Sequence, residues 1–183
     1  MAAEITILVE GYVKNDGESV GSTISLVKSK HVNLIVDPGL VKERGEITHG
    51  LLKEGLRAED ITHVFITHHH PDHTVNIGMF PNAKVIDVDS IYYKDTWLEH
   101  ERNYRITDEI AVIPTPGHTM EDATLLVRTE EGVVAFTHAW WREDLTPAND
   151  PLAEDRRLLK KSRQKIMDSA DFIVPSHGGM KKL

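Results

Sequence analysis

Residues 68–73 read His-His-His-Pro-Asp-His, and they hold the pattern H-x-H-x-D-H as His68, His70, Asp72 and His73. Imidazole nitrogens and carboxylate oxygens are ligands for divalent metals, and side chains two positions apart on an extended segment point the same way. His68 and His70 can therefore share one ion while Asp72 and His73 turn toward a second. Pro71 stiffens the turn, and a helix expected after His73 would direct its positive end at the site. The plain alternatives are a solvated loop of histidines or an expression tag. A tag is terminal, whereas this run directly follows the buried-type strand Val64 to Thr67.

Short apolar, β-branched runs bounded by turn residues predict strands at Ile5–Val9, Thr23–Val27, Val32–Val36, Val64–Thr67, Lys84–Val88, Ala111–Ile113, Thr124–Val127, Val133–Phe136 and Phe172–Val174. Helical spacing is expected at Glu46–Gly55, around Ile47, Leu51 and Leu52. It is expected again at Pro151–Ala170, with Leu158, Leu159, Ile166 and Met167 on one face. The aromatic stretch from Asp87 to Thr107 reads as an extra helix, a lid or a contact surface. Four of the strands run straight into Asp37, His68, His138 and His177. Strands that end together deliver such groups to one rim, where layered α/β proteins place their sites.

The chain has 183 residues, enough for one domain with a real core, and is 40% hydrophobic and 27% charged, as a globular protein is. With no cysteine, a metal site must use His, Asp and Glu. The net charge of -8 argues against a broad basic surface for long nucleic acids. No apolar run is long enough to span a bilayer and the start lacks the marks of a signal peptide, so no membrane association and a cytoplasmic location are expected.

Later in the chain come Thr115-Pro116-Gly117-His118-Thr119 and Pro175-Ser176-His177-Gly178-Gly179, and earlier Val36-Asp37-Pro38-Gly39. Together with H-x-H-x-D-H these motifs resemble the metallo-β-lactamase superfamily over nearly the whole chain. Leu8-Val9-Glu10-Gly11-Tyr12, Asn76-Ile77-Gly78-Met79-Phe80-Pro81 and Ser162-Arg163 are further similar to its small single-domain subgroup of metallo-β-lactamase domain-containing protein 1. The resemblance implies an α/β fold, a four-layer αββα sandwich of two mixed β-sheets flanked by helices. It implies His68, His70 and His118 as ligands of one metal, Asp72, His73 and His177 as ligands of the second, and Asp37 as a structural residue behind them. Two zinc ions are expected, with iron or manganese as alternatives.

One position departs from the family pattern. Where the superfamily carries a bridging Asp, this chain reads Ala135-Phe136-Thr137-His138-Ala139-Trp140. An imidazole nitrogen has one lone pair and cannot bridge two ions. His138 is then either a ligand of one metal or a packing residue behind the site, with Asp144 a distant substitute carboxylate. Losing one carboxylate raises the formal charge of the metal site from about +1 to about +2, which favours anionic substrates. His69 is expected to face away, and His31, His49, His63 and His100 to be surface residues. Trp140, or its neighbour Trp141, walls the pocket or packs in the core.

The expected reaction is attack by a metal-bound hydroxide, oriented by Asp72 as the catalytic residue. The resemblance and the site charge rank phosphodiesters or short oligonucleotides first, with lactones, β-lactams or other esters as the alternative. A mononuclear iron sulfur dioxygenase and a non-catalytic metal-binding protein are further alternatives. The partner is thus a small molecule or a short oligonucleotide, and a homodimer is a possible assembly. The length leaves no room for the added helical domain of glyoxalase II-like enzymes or the inserted domain of larger nucleases.

Overall fold

The computed structural model describes residues 2–14 and 18–183. One sheet has seven strands in the order β1-β4-β5-β6-β7-β8-β9, with β1 Glu4–Val9, β4 Ile24–Ser29, β5 Val32–Val36, β6 His63–Phe65, β7 Lys84–Ile86, β8 Ser90–Tyr93 and β9 Thr96–Glu99. The second has five, β10-β11-β12-β13-β14, with β10 Ile110–Pro114, β11 Ala123–Arg128, β12 Val133–Thr137, β13 Phe172–Pro175 and β14 Lys181–Lys182. A short ribbon joins β2 Tyr12–Val13 to β3 Val20–Gly21.

The period-2 alternation of the strands sorts side chains into separate cores. Val27, Leu34, Val36 and Phe65 of the first sheet meet Val112, Leu125, Val127, Val134, Phe136 and Val174 of the second in the layer between them. The intervening Leu26, Ile35 and Val64 face outward onto Ile47 and Leu51 of α1 (Gly45–Lys53). Ala135 and Ile173 face outward from the other sheet onto Leu159 and Ile166 of α3 (Arg156–Met167). Helix, sheet, sheet and helix therefore stack as the four layers expected. Each fully buried Leu or Ile in these layers contributes about 1.5–3 kcal/mol.

Several local expectations are corrected. The segment 151–155 is not helical: the Asp155 carboxylate accepts from the amides of Arg157 and Leu158, so α3 starts at Arg156. Its buried face is Leu159, Ser162 and Ile166, while Met167, like Leu52 on α1, is exposed. Among the described residues no α-helix begins directly after His73, where only a 3-10 turn, Ile77–Met79, follows. The helix there, α2 (Pro71–Thr74), is a single turn that contains Asp72 and His73, too short for an aligned dipole to matter. The aromatic stretch forms the β8–β9 hairpin at the sheet edge, with Trp97 69% exposed. Among the described residues no helix is long and apolar enough to cross a membrane.

What positions the site is the pairing of β5 with β6 and of β12 with β13, both parallel. Parallel neighbours end on the same side, so Asp37, His68, His138 and His177 arrive at one rim.

Candidate metal centre

Six histidines gather at that rim. The His68 ring lies 4.5 Å from His70, 4.3 Å from His73, 5.1 Å from His118 and 4.4 Å from His138, measured between centroids. His177 lies 5.2 Å from His73. Ligand atoms of His68, His70 and His118 form one group able to hold a metal, and those of Asp72, His73 and His177 form another. A third group, His68, His73 and His138, overlaps both.

The backs of the rings are held by partners, which aims their other nitrogens at the centre. His73 Nδ1 donates to Asp37 at 2.9 Å. Asp37 also accepts from the Thr67 amide at 2.7 Å and the Thr67 hydroxyl at 2.8 Å, so one buried carboxylate fixes both ends of the motif strand. His118 Nδ1 donates to Asp150 at 2.7 Å, His177 Nδ1 to the Gly21 carbonyl at 3.0 Å, and His68 Nδ1 to the Thr67 hydroxyl at 3.1 Å.

Two glycines permit these approaches. A Cβ on Gly39 would lie 1.6 Å from the Asp72 carbonyl oxygen, so only glycine lets the loop after β5 lie against the metal motif. Gly117, at φ +150°, puts the turn carrying His118 against the backbone of Leu159, where a Cβ would come within 2.3 Å.

The electrostatics follow from burial and crowding. Burial lowers His68, His138 and His177, His177 to about 4, and the neighbouring rings push the same way. His73 is opposed by burial yet carried up to about 9 by Asp37 and Asp72. Burial raises Asp72, but His73 and His177 outweigh it and hold the carboxyl at about 2. Asp122, buried 3.8 Å from His68 Nδ1, is pushed up to about 7 by burial.

The donor set fits a metal site. Among the described residues, two buried ring nitrogens have no hydrogen-bond partner, His73 Nε2 and His138 Nδ1, and both belong to the groups above. Buried polar atoms without partners are rare, and a divalent ion is the chemistry that would satisfy them.

Every sequence-predicted ligand is brought to this rim, His138 included. Asp144 is not: it pairs with Arg142 on the surface. Trp140 does not wall the pocket, because it is buried against α3 with the Arg163 guanidinium over its ring. Its neighbour Trp141 takes that place. His69 turns away to Asp87, as expected. His31 and His49 are exposed, but His63 and His100 are half-buried. Sequence reasoning missed Asp150 and Asp122, since no spacing rule links either to the histidine it faces. A carboxylate just before Pro151 was the one signal for Asp150.

Beside the histidines lies a cavity of about 340 Å³, lined by Val13, Val20, Leu40, Pro71, Trp141 and Leu152 together with the site residues. A four-layer sandwich whose parallel strands end at a rim of histidines and Asp72 is the architecture of an α/β protein with a metal-type donor set. Residues 18–139 match the family model described as Metallo-beta-lactamase superfamily, and the chain belongs to that family. It is a metallo-hydrolase of the superfamily. Among relatives, "Metallo-beta-lactamase domain-containing protein 1" of Xenopus laevis is 29% identical, covering 95% of this chain and 79% of the frog protein. The human protein of that name is also 29% identical over 87% of this chain, which spans only 63% of the human length. A solved putative metallo-beta-lactamase from Thermotoga maritima superposes with a TM-score of 0.78 at 23% identity, covering all of both chains. A B. thuringiensis enzyme solved with N-decanoyl-L-homoserine bound at its active site superposes with a TM-score of 0.70 at 16% identity, covering 97% of this chain and 93% of that one.

Proposed function

We propose that the chain hydrolyses esters or lactones bearing an apolar acyl group, at a pair of metal ions. The carrying observation is the cavity wall: Val13, Val20, Leu40, Pro71, Trp141 and Leu152 are apolar or aromatic, and none of the described lining residues is Lys or Arg. The wall offers a phosphodiester no cationic side chain beyond the metals, whereas an acyl chain gains from it. The relative solved with N-decanoyl-L-homoserine at its active site supports the same reading. It reverses the order expected from sequence.

In this reading His68, His70 and His118 hold one ion and Asp72, His73 and His177 the other. Zinc leads because the donors are imidazole and carboxylate, with iron and manganese as alternatives. Bound metals would supply Lewis acidity and a more acidic water. Asp72, half-buried at the cavity wall and held ionised, accepts a hydrogen bond from the attacking water and orients it. Trp141 and Leu152 hold the acyl chain and keep bulk water out.

The test is a panel of lactones and esters of increasing acyl length alongside an aryl phosphodiester, with the zinc-loaded protein. Each methylene is expected to raise kcat/KM about fourfold until the cavity is full, from about 0.8 kcal/mol per buried CH₂. A rate flat with chain length, and phosphodiester turnover above it, overturns the reading. The phosphodiester alternative keeps one observation in its favour: an imidazole, His138, stands among the ligand groups where a carboxylate was expected, leaving the site more positive.

A further inference from the structure

We propose that His138 gives this chain a second way of taking up metal: a single divalent ion held by His68, His73 and His138, in place of the pair held by the two outer groups. The inference rests on the metal-dependent reading above, though not on its substrate.

The unpartnered His138 singles out this central group. Outer donors already meet one another, with His68 Nε2 2.9 Å and His118 Nε2 3.3 Å from His70 Nδ1, and Asp72 Oδ2 3.3 Å from His73 Nε2 and 3.7 Å from His177 Nε2. Among the described residues His138 Nδ1 is a buried ring nitrogen without a hydrogen bond, and His138 belongs to the central group alone, where His68 and His73 complete it. All of its members are buried, whereas His70 of the first outer group is exposed. The centre is thus a closed, all-imidazole pocket lying between two more open groups.

Single and paired loading exclude each other. His68 Nδ1 is tied to Thr67 and His73 Nδ1 to Asp37, so each ring has only Nε2 left to offer, and one lone pair binds one ion. A central ion takes a donor from each outer group. That leaves His70 with His118 on one side and Asp72 with His177 on the other, each one ligand short. At scarce metal the central ion is favoured because it satisfies His138 Nδ1, which the outer groups leave without a partner. With excess metal, His68 and His73 return to the outer groups and the pair forms. A carboxylate in the place of His138 would bridge the pair and offer no such competition.

Cobalt(II) titration of the metal-free protein, followed by visible absorption and elemental analysis, tests this without substrate. In the wild type the spectrum at one equivalent is expected to differ in shape from that at two. His138→Ala is expected to bind its first ion more than about tenfold more weakly and to lose the one-equivalent spectrum. His70→Ala is expected to keep that spectrum and stop at one ion. A wild-type spectrum growing in strict proportion to two equivalents overturns the proposal, and that result does not depend on any variant folding. So does a His138→Ala protein that reproduces the wild-type one-equivalent spectrum. An unsuccessful ester panel leaves the titration standing, and a proportional titration leaves the ester reading standing.

Discussion

The two halves of the sandwich build the site in opposite ways. The seven-stranded sheet supplies His68, His70, Asp72 and His73 from one loop after β6, so their mutual geometry is local. The five-stranded sheet supplies His118, His138 and His177 from three separate connections, so theirs depends on how the sheet is assembled. The local half is held by one buried carboxylate, Asp37. The dispersed half is held piecemeal: Asp150 behind His118, the Gly21 carbonyl behind His177, and the contact of Gly117 with α3. Arg163 adds to the last set by donating to the carbonyls of Ala139, Pro147 and Ala148, which fixes the loop that carries Trp141 and Asp150. A single lesson follows: the local half should fail all at once and the dispersed half one ligand at a time.

The largest effect is expected from Asp37→Ala. It strands the Thr67 amide, the Thr67 hydroxyl and His73 Nδ1 without a partner in a buried site, a loss of about 3–5 kcal/mol by the usual penalty for breaking such a set. Urea unfolding should show that loss together with disappearance of bound metal. A variant that keeps its metal would break the comparison. Next is Gly117→Ala, which forces a Cβ against the Leu159 backbone and costs about 1–3 kcal/mol. Thermal unfolding measures the cost, and metal should leave the His118 group before the Asp72 group.

Asp150→Ala touches one ligand of the dispersed half. Metal affinity there is expected to fall roughly 10–100-fold, read by competition with a chelator. Because Asp150 also accepts from Trp141 Nε1 and the Leu152 amide, the unfolding midpoint is expected to drop as well, by less than for Asp37→Ala. An equal loss at both groups would mean that the halves are coupled more tightly than their anchors suggest.

A smaller effect belongs to His63, on the strand before the motif. Burial, helped by Lys84, holds it at about 4, below its ordinary 6.5. The folded chain resists a proton that the unfolded chain accepts. The stability it contributes is therefore present above about pH 6.5 and is lost as pH falls toward 4. Melting curves of the metal-free protein from pH 7 to 4 should fall less steeply for His63→Gln than for wild type. Smallest of all is Trp97→Ser at the exposed hairpin, expected to shift stability by no more than about 0.5 kcal/mol and to leave metal content unchanged.

The sequence by itself determined the ligand-type residues and the run of strands, while the four layers came from the family resemblance. H-x-H-x-D-H is a local pattern, and strand alternation sorts apolar residues between the cores without knowledge of the partner sheet. Helix α1 was legible because Ile47 and Leu51 repeat at helical spacing and Gly55, at φ +73°, ends it. Tertiary structure alone decided what stands behind each ring. Asp150 is 32 residues from His118, and the Gly21 carbonyl is 156 from His177. Such pairs exist only once two sheets have packed, because a hydrogen bond between distant segments leaves no periodicity in either. The same holds for Trp140 and Trp141, where packing against Arg163 and α3 chose which ring entered the core. His138 lies between these cases. Its position at a strand end was readable, but that its Nδ1 is buried without a partner among rings from both halves is a fact of the folded molecule.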